Sequence, residues 1–295
     1  MDGLICSMHA AESRSETAAA VEEEDAPTTY RLAYRFERGE VLRYEVKHSA
    51  NVRTTIDNKT QRVESQSESI KAWKVVDVLP NGEMEFVHVV ESVHMMNQTP
   101  GGKPNRFDSR SDERPPQGFE QAAAAIGVPL SVIRIAPDGE VVSREEKHPQ
   151  PTPSPDMPIT LQLPGKPLAV GETWDRTYDV TADRKSGGKL KVRTRRVCRL
   201  AKVRGKIAEI EVEYQILTPV SAFVESQLVE RLTKGTVSFD LARGRIVAQE
   251  QNVDARILGF AGKASSMHFL ARLQERLVSD AESEKLAQSV SRRGK

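Results

Sequence analysis

The chain has 295 residues, of which 38% are hydrophobic, 5% aromatic and 29% charged, with a formal net charge of +1. That length buries a full core as one large domain or two smaller ones, and so few rings imply an aliphatic core beneath a heavily charged surface. The balanced charge excludes a general pull toward nucleic acid or anionic membrane, and no run of about 18 apolar residues offers a bilayer-spanning helix.

The first segment, 1–29, is rich in alanine and acid, has no apolar period and reads as a flexible leader. Within it, GLICSMHAAES resembles the last residues of an export signal whose basic and apolar parts would lie upstream. The expectation is an exported mature protein of the periplasm or cell envelope, or a cytoplasmic one if the start is as written. Cys6 is preceded by Ile5 rather than by the small residue that lipid-attachment sites favour. Cys6 and Cys198 are the 2 cysteines, which exclude a disulfide framework. Cys198 lies among arginines that would lower a thiol pKa, yet a small buried strand residue is the better reading.

A first β unit is expected over 30–146. Tyr30, Leu32, Tyr34 and Phe36 alternate, and a turn at 38–40 leads into VLRYEVKHSANVRTTI, residues 41–56. There Leu42, Tyr44, Val46, Ala50, Val52 and Ile56 share one parity and polar residues the other, the mark of a strand with one buried face. At about 3.3 Å per residue such a strand spans roughly 50 Å, so a long apolar face needs a cover. A turn near Asn58 follows, then a strand whose parity shifts between Ile70 and Val78, which predicts a bulge. Asn81-Gly82 predicts a hairpin turn, and MEFVHVVESVHMM, apolar on both parities, predicts a central strand. Residues 97–116 form a polar loop, GFEQAAAAIG a short helix, and 129–146 a hairpin turning at Pro137-Asp138-Gly139.

Proline at nearly every second position marks 147–158 as a linker. A second unit over 159–278 echoes the first. Gly171-Glu172 before Trp174, Tyr178 and Val180 repeats Gly39-Glu40 before Leu42, Tyr44 and Val46. A hairpin at Gly205, a helix near 221–232 and a hairpin at Arg243-Gly244 then follow in the same order. The expected architecture is two diverged repeats forming a mainly β fold: a strongly curved antiparallel sheet, an open or half barrel, with a few short helices on its concave side. Residues 279–295 read as a polar tail.

Long meandering strands, helices against a concave face, and FDLARGRI before long C-terminal strands resemble the half-barrel of bacterial lipoprotein carriers and lipid-binding envelope proteins. RFDSRSDERPP, VGETWDRTYDV and GTVSFDLARGRIV also resemble an uncharacterised family of exported bacterial proteins. The resemblance implies an architecture and an envelope location and brings no activity with it.

No catalytic pattern stands out. GFAGKAS lacks phosphate-loop spacing and reads as a turn, and G-x-S-x-G, H-E-x-x-H and paired C-x-x-C are absent. Of the 6 histidines, His88 and His94 share parity about 20 Å apart, too far for one metal, and His48 could join His88 only across adjoining strands. Asp108, Ser109, Asp112 and Glu113 could form an acid–hydroxyl site, but Arg106, Arg110 and Arg114 interleave with them as in a solvated loop. Residues 184–206 are strongly basic without an acid. The following strand carries Glu209, Glu211 and Glu213 on one face, where a hairpin would neutralise the stripe. Aromatic residues that would stack on bases are missing there, which argues against nucleic acid.

The expected function is therefore that of a non-enzymatic exported protein, without metal or cofactor, binding a lipid or other apolar ligand in its curved sheet. The expected lining is Leu42, Tyr44, Val46, Val52, Phe86, Val90, Trp174, Tyr178, Ile210, Val212 and Tyr214. The alternative is a structural or interaction module of the cell envelope with no pocket and a protein partner. An enzyme would need His88, Asp108 and another acid gathered in one cleft.

Overall fold

The structure, a computed structural model, describes residues 28–149 and 159–291. The expected leader, apart from its last two residues, and most of the proline-rich linker lie outside the described residues. The elements in chain order are β1 (Thr29–Tyr30), β2 (Val41–Ile56), β3 (Lys59–Val78), β4 (Met84–Gln98), β5 (Asn105–Asp108), α1 (Glu120–Ala124), β6 (Pro129–Ile135) and β7 (Val141–Glu146). There follow β8 (Leu168–Ala169), β9 (Thr173–Asp183), β10 (Lys189–Arg204), β11 (Ile207–Ile216), α2 (Ala222–Leu228), β12 (Lys234–Asp240), β13 (Arg245–Leu258), β14 (Ser265–Leu277) and α3 (Asp280–Ser291). A 3-10 turn, Val229–Arg231, continues α2.

The fold is mainly β. One antiparallel sheet runs β7-β6-β4-β3-β2-β14-β13-β12-β11-β10-β9, with β5 paired to β4 and a separate two-stranded sheet made by β1 and β8. The sheet is open, since β7 and β9 are its unpaired edges. It curls until those edges approach each other: Arg176 of β9 lies 3.9 Å from Asp138 in the β6–β7 turn.

Two extended segments, 31–36 and 159–167, fill the concave side at the hairpin end of the sheet. Residues 31–36 keep the alternation that predicted a strand, but only Thr29 and Tyr30 pair as one. The rest is held by single bonds, Tyr34 N to the Pro137 carbonyl and Arg35 N to the Gly244 carbonyl. Leu32, Tyr34, Phe36, Leu161 and Leu163 bury themselves against Leu42, Trp73, Phe86, Ile133, Ile210 and Phe239. The ring of Phe36 meets both Trp73 and Phe86, while Tyr34 meets Phe239 from the other half. The concave filling expected of helices is thus done here by bare extended chain, whose backbone groups bond to turns and whose alternate side chains enter the core. Arg245, buried, pairs with Glu40 and locks β13 to the start of β2.

The helices act further along. α2 and its 3-10 turn lie where β11 and β12 stop short, placing Val224 and Leu228 against Val180 and Val192 of β9 and β10. Val229 packs instead on Val253, Ile257 and Phe269 of β13 and β14. Ser221 caps α2, its Oγ accepting from Val224 N, as a helix start requires.

One turn recurs in each half. Gly39 N donates to the Val75 carbonyl and Val75 N to that of Glu40; Gly171 N and Leu200 N make the same pair with Leu200 and Glu172. A Glu40 carboxylate accepts from Glu37 N just as that of Glu172 accepts from Ala169 N. In each half the strands then add outward or inward in one order: β2, β3, β4, β6, β7 and β9, β10, β11, β12, β13. β14 has no counterpart. It lies between β2 and β13 and joins the halves into one sheet.

The expected bulge in β3 falls at Val76, between Val75 and Asp77, whereas Ala72 and Trp73 face opposite sides of a regular strand. A second register change, at Ile70/Lys71, corrects the histidine reading. It inserts Glu91 into β4, so His88 faces inward and His94 outward. Within the expected 97–116 loop, Asn105–Asp108 pairs with β4. The expected polar tail contains α3, started by Ser279, whose Oγ accepts from Glu282 N while Glu282 accepts from Ser279 N.

Candidate functional site: the inner face of the sheet

Strand register turns the whole predicted lining toward the inner face, at two levels. Leu42, Tyr44, Phe86, Ile210 and Val212 belong to the dry core under the extended segments. Val46 and Trp174 pack on the margin of that core. Val52 and Tyr178 belong to the separate clusters beside α2. Val90 meets the chain after α1 through a bridge to Ile126, and Tyr214 sets its ring edge-on to Tyr178, 5.9 Å away.

Between these levels lies a band whose side chains are only partly covered. Val46, Ala50, Trp174, Tyr178, Tyr214 and Ile216 are half-buried there, and His48 is exposed. Small residues, Ser65, Ser67 and Ser69 of β3 and Ala271 of β14, line part of it. Further out, inward-facing Ile56 and Val63 remain 41% and 42% exposed, whereas Tyr44 on the same face of β2 is 1% exposed.

Polar groups also face inward, and parity alone could have found them as charges within apolar runs. Lys71 follows the parity of Trp73 and Val75. Its ammonium lies 2.7 Å from Glu275 of β14 and 5.1 Å from the ring centres of both Tyr44 and Trp73. Gln249 donates to the other Glu275 oxygen. Arg196 follows Val192, Thr194, Cys198 and Leu200; it donates to the Tyr214 hydroxyl and lies 4.8 Å from that ring's centre. Its Nε and the Tyr178 hydroxyl are buried without a partner, as are His88 Nδ1 and the Ser131 hydroxyl opposite it. Burial, then the neighbouring Tyr214 phenol, push the Tyr178 phenol well up, partly offset by Arg196 and Arg231, so it is neutral at pH 7. Burial, then Lys71 and Arg144, hold the His88 imidazole down at about 4. Burial pushes the Cys198 thiol up to about 12, which removes the reactive reading.

The outer face neutralises itself. Arg199 pairs with Glu211 and Lys202 with Glu209, each at 2.8 Å, while Glu213 takes Lys234 and Asp179 takes Lys191 and Arg193. The acids of the long loop knit a turn: Asp108 accepts from Arg110 N, Asp112 from Asp108 N, and Ser109 Oγ from Val93 N. His94, not His88, is the imidazole near Asp108, at 3.5 Å on the outer side. β3 separates His48 from His88. GFAGKAS is the β13–β14 turn. An outer trough of about 500 Å³, lined by Ser49, Asn51, Gln66, Asn252 and Arg272, is polar and open. No cluster of three or more metal-ligating side chains occurs among the described residues.

No family model matches the chain, and no curated protein matches it. Among solved structures it is similar to lipovitellin, described for its lipid–protein interactions, at 11% identity and a TM-score of 0.46 over 83% of this chain. That similarity spans only 26% of the lipovitellin chain. DynF of the dynemicin biosynthesis pathway of Micromonospora chersina aligns at 6% identity over 92% of this chain and 95% of its own, with a TM-score of 0.21. A DUF1329 family protein from Desulfovibrio piger aligns at 10% identity over 80% of this chain and 88% of its own, with a TM-score of 0.15.

Proposed function

We propose that this is a non-enzymatic protein of the cell envelope whose curved sheet shelters an apolar ligand such as a lipid chain. The observation that carries the reading is apolar surface left open on the inner face. A folded domain usually buries one contiguous core with small satellites, and this one does. Beyond that core the inward-facing Ile56 and Val63 stay 41% and 42% exposed. The outer face is laced with ion pairs, with Leu258 and Leu270 exposed among them. We read the halves as diverged copies, which the matched turns support. Export is the compartment consistent with such a carrier and rests on the sequence resemblance.

Native mass spectrometry of the full chain made in a bacterial host, before and after organic extraction, tests the reading. A co-purifying mass that extraction removes and added lipid restores is expected. A clean apo mass with no uptake of added lipid would overturn it and leave an envelope interaction module as the better account.

A further inference from the structure

The matched turns set up a comparison between two inward cations. Four residues before Val75 stands Lys71, and four before Leu200 stands Arg196. Both β3 and β10 run in unbroken register with the preceding strand over this stretch, so the two cations occupy equivalent places in their halves. Their surroundings differ for a topological reason. β2 has β14 on its far side, and β14 supplies the carboxylate of Glu275 that neutralises Lys71. β9, which stands to β10 as β2 stands to β3, is the edge of the sheet. No carboxylate among the described residues pairs with Arg196, and the nearby Asp138 lies against Arg176 instead.

Arg196 thus keeps a buried Nε–H without an acceptor, and the Tyr178 hydroxyl, set beside Tyr214, lies diagonal to it. Native proteins pair such groups almost without exception, so this unmet charged donor calls for an acceptor from outside the chain. Trp174, Val212, Ile216 and Phe223 share this face, as does Arg176, the direct cross-strand neighbour of Arg196. A guanidinium with one edge free, fixed by a tyrosine ring and hydroxyl, suits an oxyanion, because charge-assisted bonds to it are strong and directional.

We propose that Arg196, with the Tyr178 hydroxyl, holds the anionic headgroup of a single-chain amphiphile, a carboxylate or phosphate that takes the place Glu275 occupies beside Lys71. The chain of that amphiphile lies along the partly covered band toward Ile216, Ala50 and Val46. This rests on the reading of the inner face as an apolar-ligand site.

Isothermal titration calorimetry on the full chain tests it with oleate below its micellar concentration, oleyl alcohol, acetate and inorganic phosphate. The wild type is expected to bind oleate about ten-fold or more tightly than the alcohol. Arg196→Gln should lose that preference while still binding the alcohol, and Arg196→Lys should recover part of it. Equal affinity of the wild type for acid and alcohol would overturn the headgroup assignment and leave the apolar reading standing; this comparison needs no variant. Arg196→Gln binding oleate as well as the wild type would also overturn it. Acetate or phosphate binding as tightly as oleate would overturn the amphiphile in favour of a free anion. Binding of neither long-chain compound would overturn both readings.

Discussion

The ammonium of Lys71 and the carboxylate of Glu275 meet at 2.7 Å on the inner face of the sheet, with side chains 18% and 6% exposed. The pair ties β3 to β14 across β2, and so ties the first half of the chain to the strand that joins the halves. Removing one member of such a pair leaves a buried charge, which costs far more than the pair is worth against apolar residues. Glu275→Gln and Lys71→Met are each expected to lower unfolding stability by about 3 kcal/mol. The double variant should lose clearly less than the sum. Urea unfolding of the four proteins measures the coupling, and strict additivity would refute it.

Gly235 on β12 faces the backbone of β13 closely. A Cβ there would stand 1.9 Å from the Glu250 carbonyl oxygen and 2.8 Å from the Gln251 Cα, both rigid. Gly235→Ala is expected to cost about 2 kcal/mol or more by forcing strands β12 and β13 apart. Gly165, with open space around it, is the control: Gly165→Ala should leave the urea midpoint unchanged.

His88 gives stability a defined pH dependence. Its folded-state pKa of about 4 lies below its ordinary value of 6.5, so the unfolded chain binds the extra proton between those values. The neutral imidazole therefore contributes stability above pH 6.5 that is lost as pH falls toward 4. The urea midpoint should fall more steeply over that range in the wild type than in His88→Leu. Parallel curves would show that His88 does not titrate abnormally.

Cys198 should be inert in the folded protein, since burial pushes its thiol up to about 12. A disulfide exchange reagent at pH 8 is expected to leave it unmodified for hours and to label it at once in denaturant. Fast labelling of the native protein would mean that β10 opens at its centre.

The start of α3 rests on Ser279 and Glu282, and the carboxyl of Glu282 is held down at about 2 by Ser279 and then Arg276. A depressed carboxyl contributes above its ordinary value of 4.5, and the contribution is lost as pH falls toward 2. Ser279→Ala should speed amide exchange at Ser283 roughly five-fold at neutral pH, the effect of a lost cap. An unchanged rate would assign the helix start to its packing instead.

What the sequence determined by itself was everything local. Period-two alternation turned Leu42, Tyr44, Val46 and Val52 to one face, and Phe86, Trp174 and Ile210 likewise, because the pleat leaves a side chain no other choice. Asn81-Gly82, Gly139 and Gly205 marked turns because each needs a positive φ. The same parity could have placed Arg196 and Lys71 inside, and the pair Ser279 and Glu282 could have marked a helix where 279–295 reads as a polar tail.

Tertiary structure decided which strands became neighbours. Nothing in SSMHFLARLQERL says that it inserts between β2 and β13, since that pairing joins segments more than 200 residues apart and leaves no local period. Nor does the alternation of 31–36 distinguish a sheet strand from an extended segment bound only at its turns. One inserted residue, Glu91, turned His94 away from His88, because a bulge shifts every later side chain to the other face. The fate of the two inward cations follows from the same cause. Lys71 has β14 beside its hairpin and Arg196 has the open edge of the sheet, so adjacency, not sequence, left one charge neutralised and the other without a carboxylate partner among the described residues.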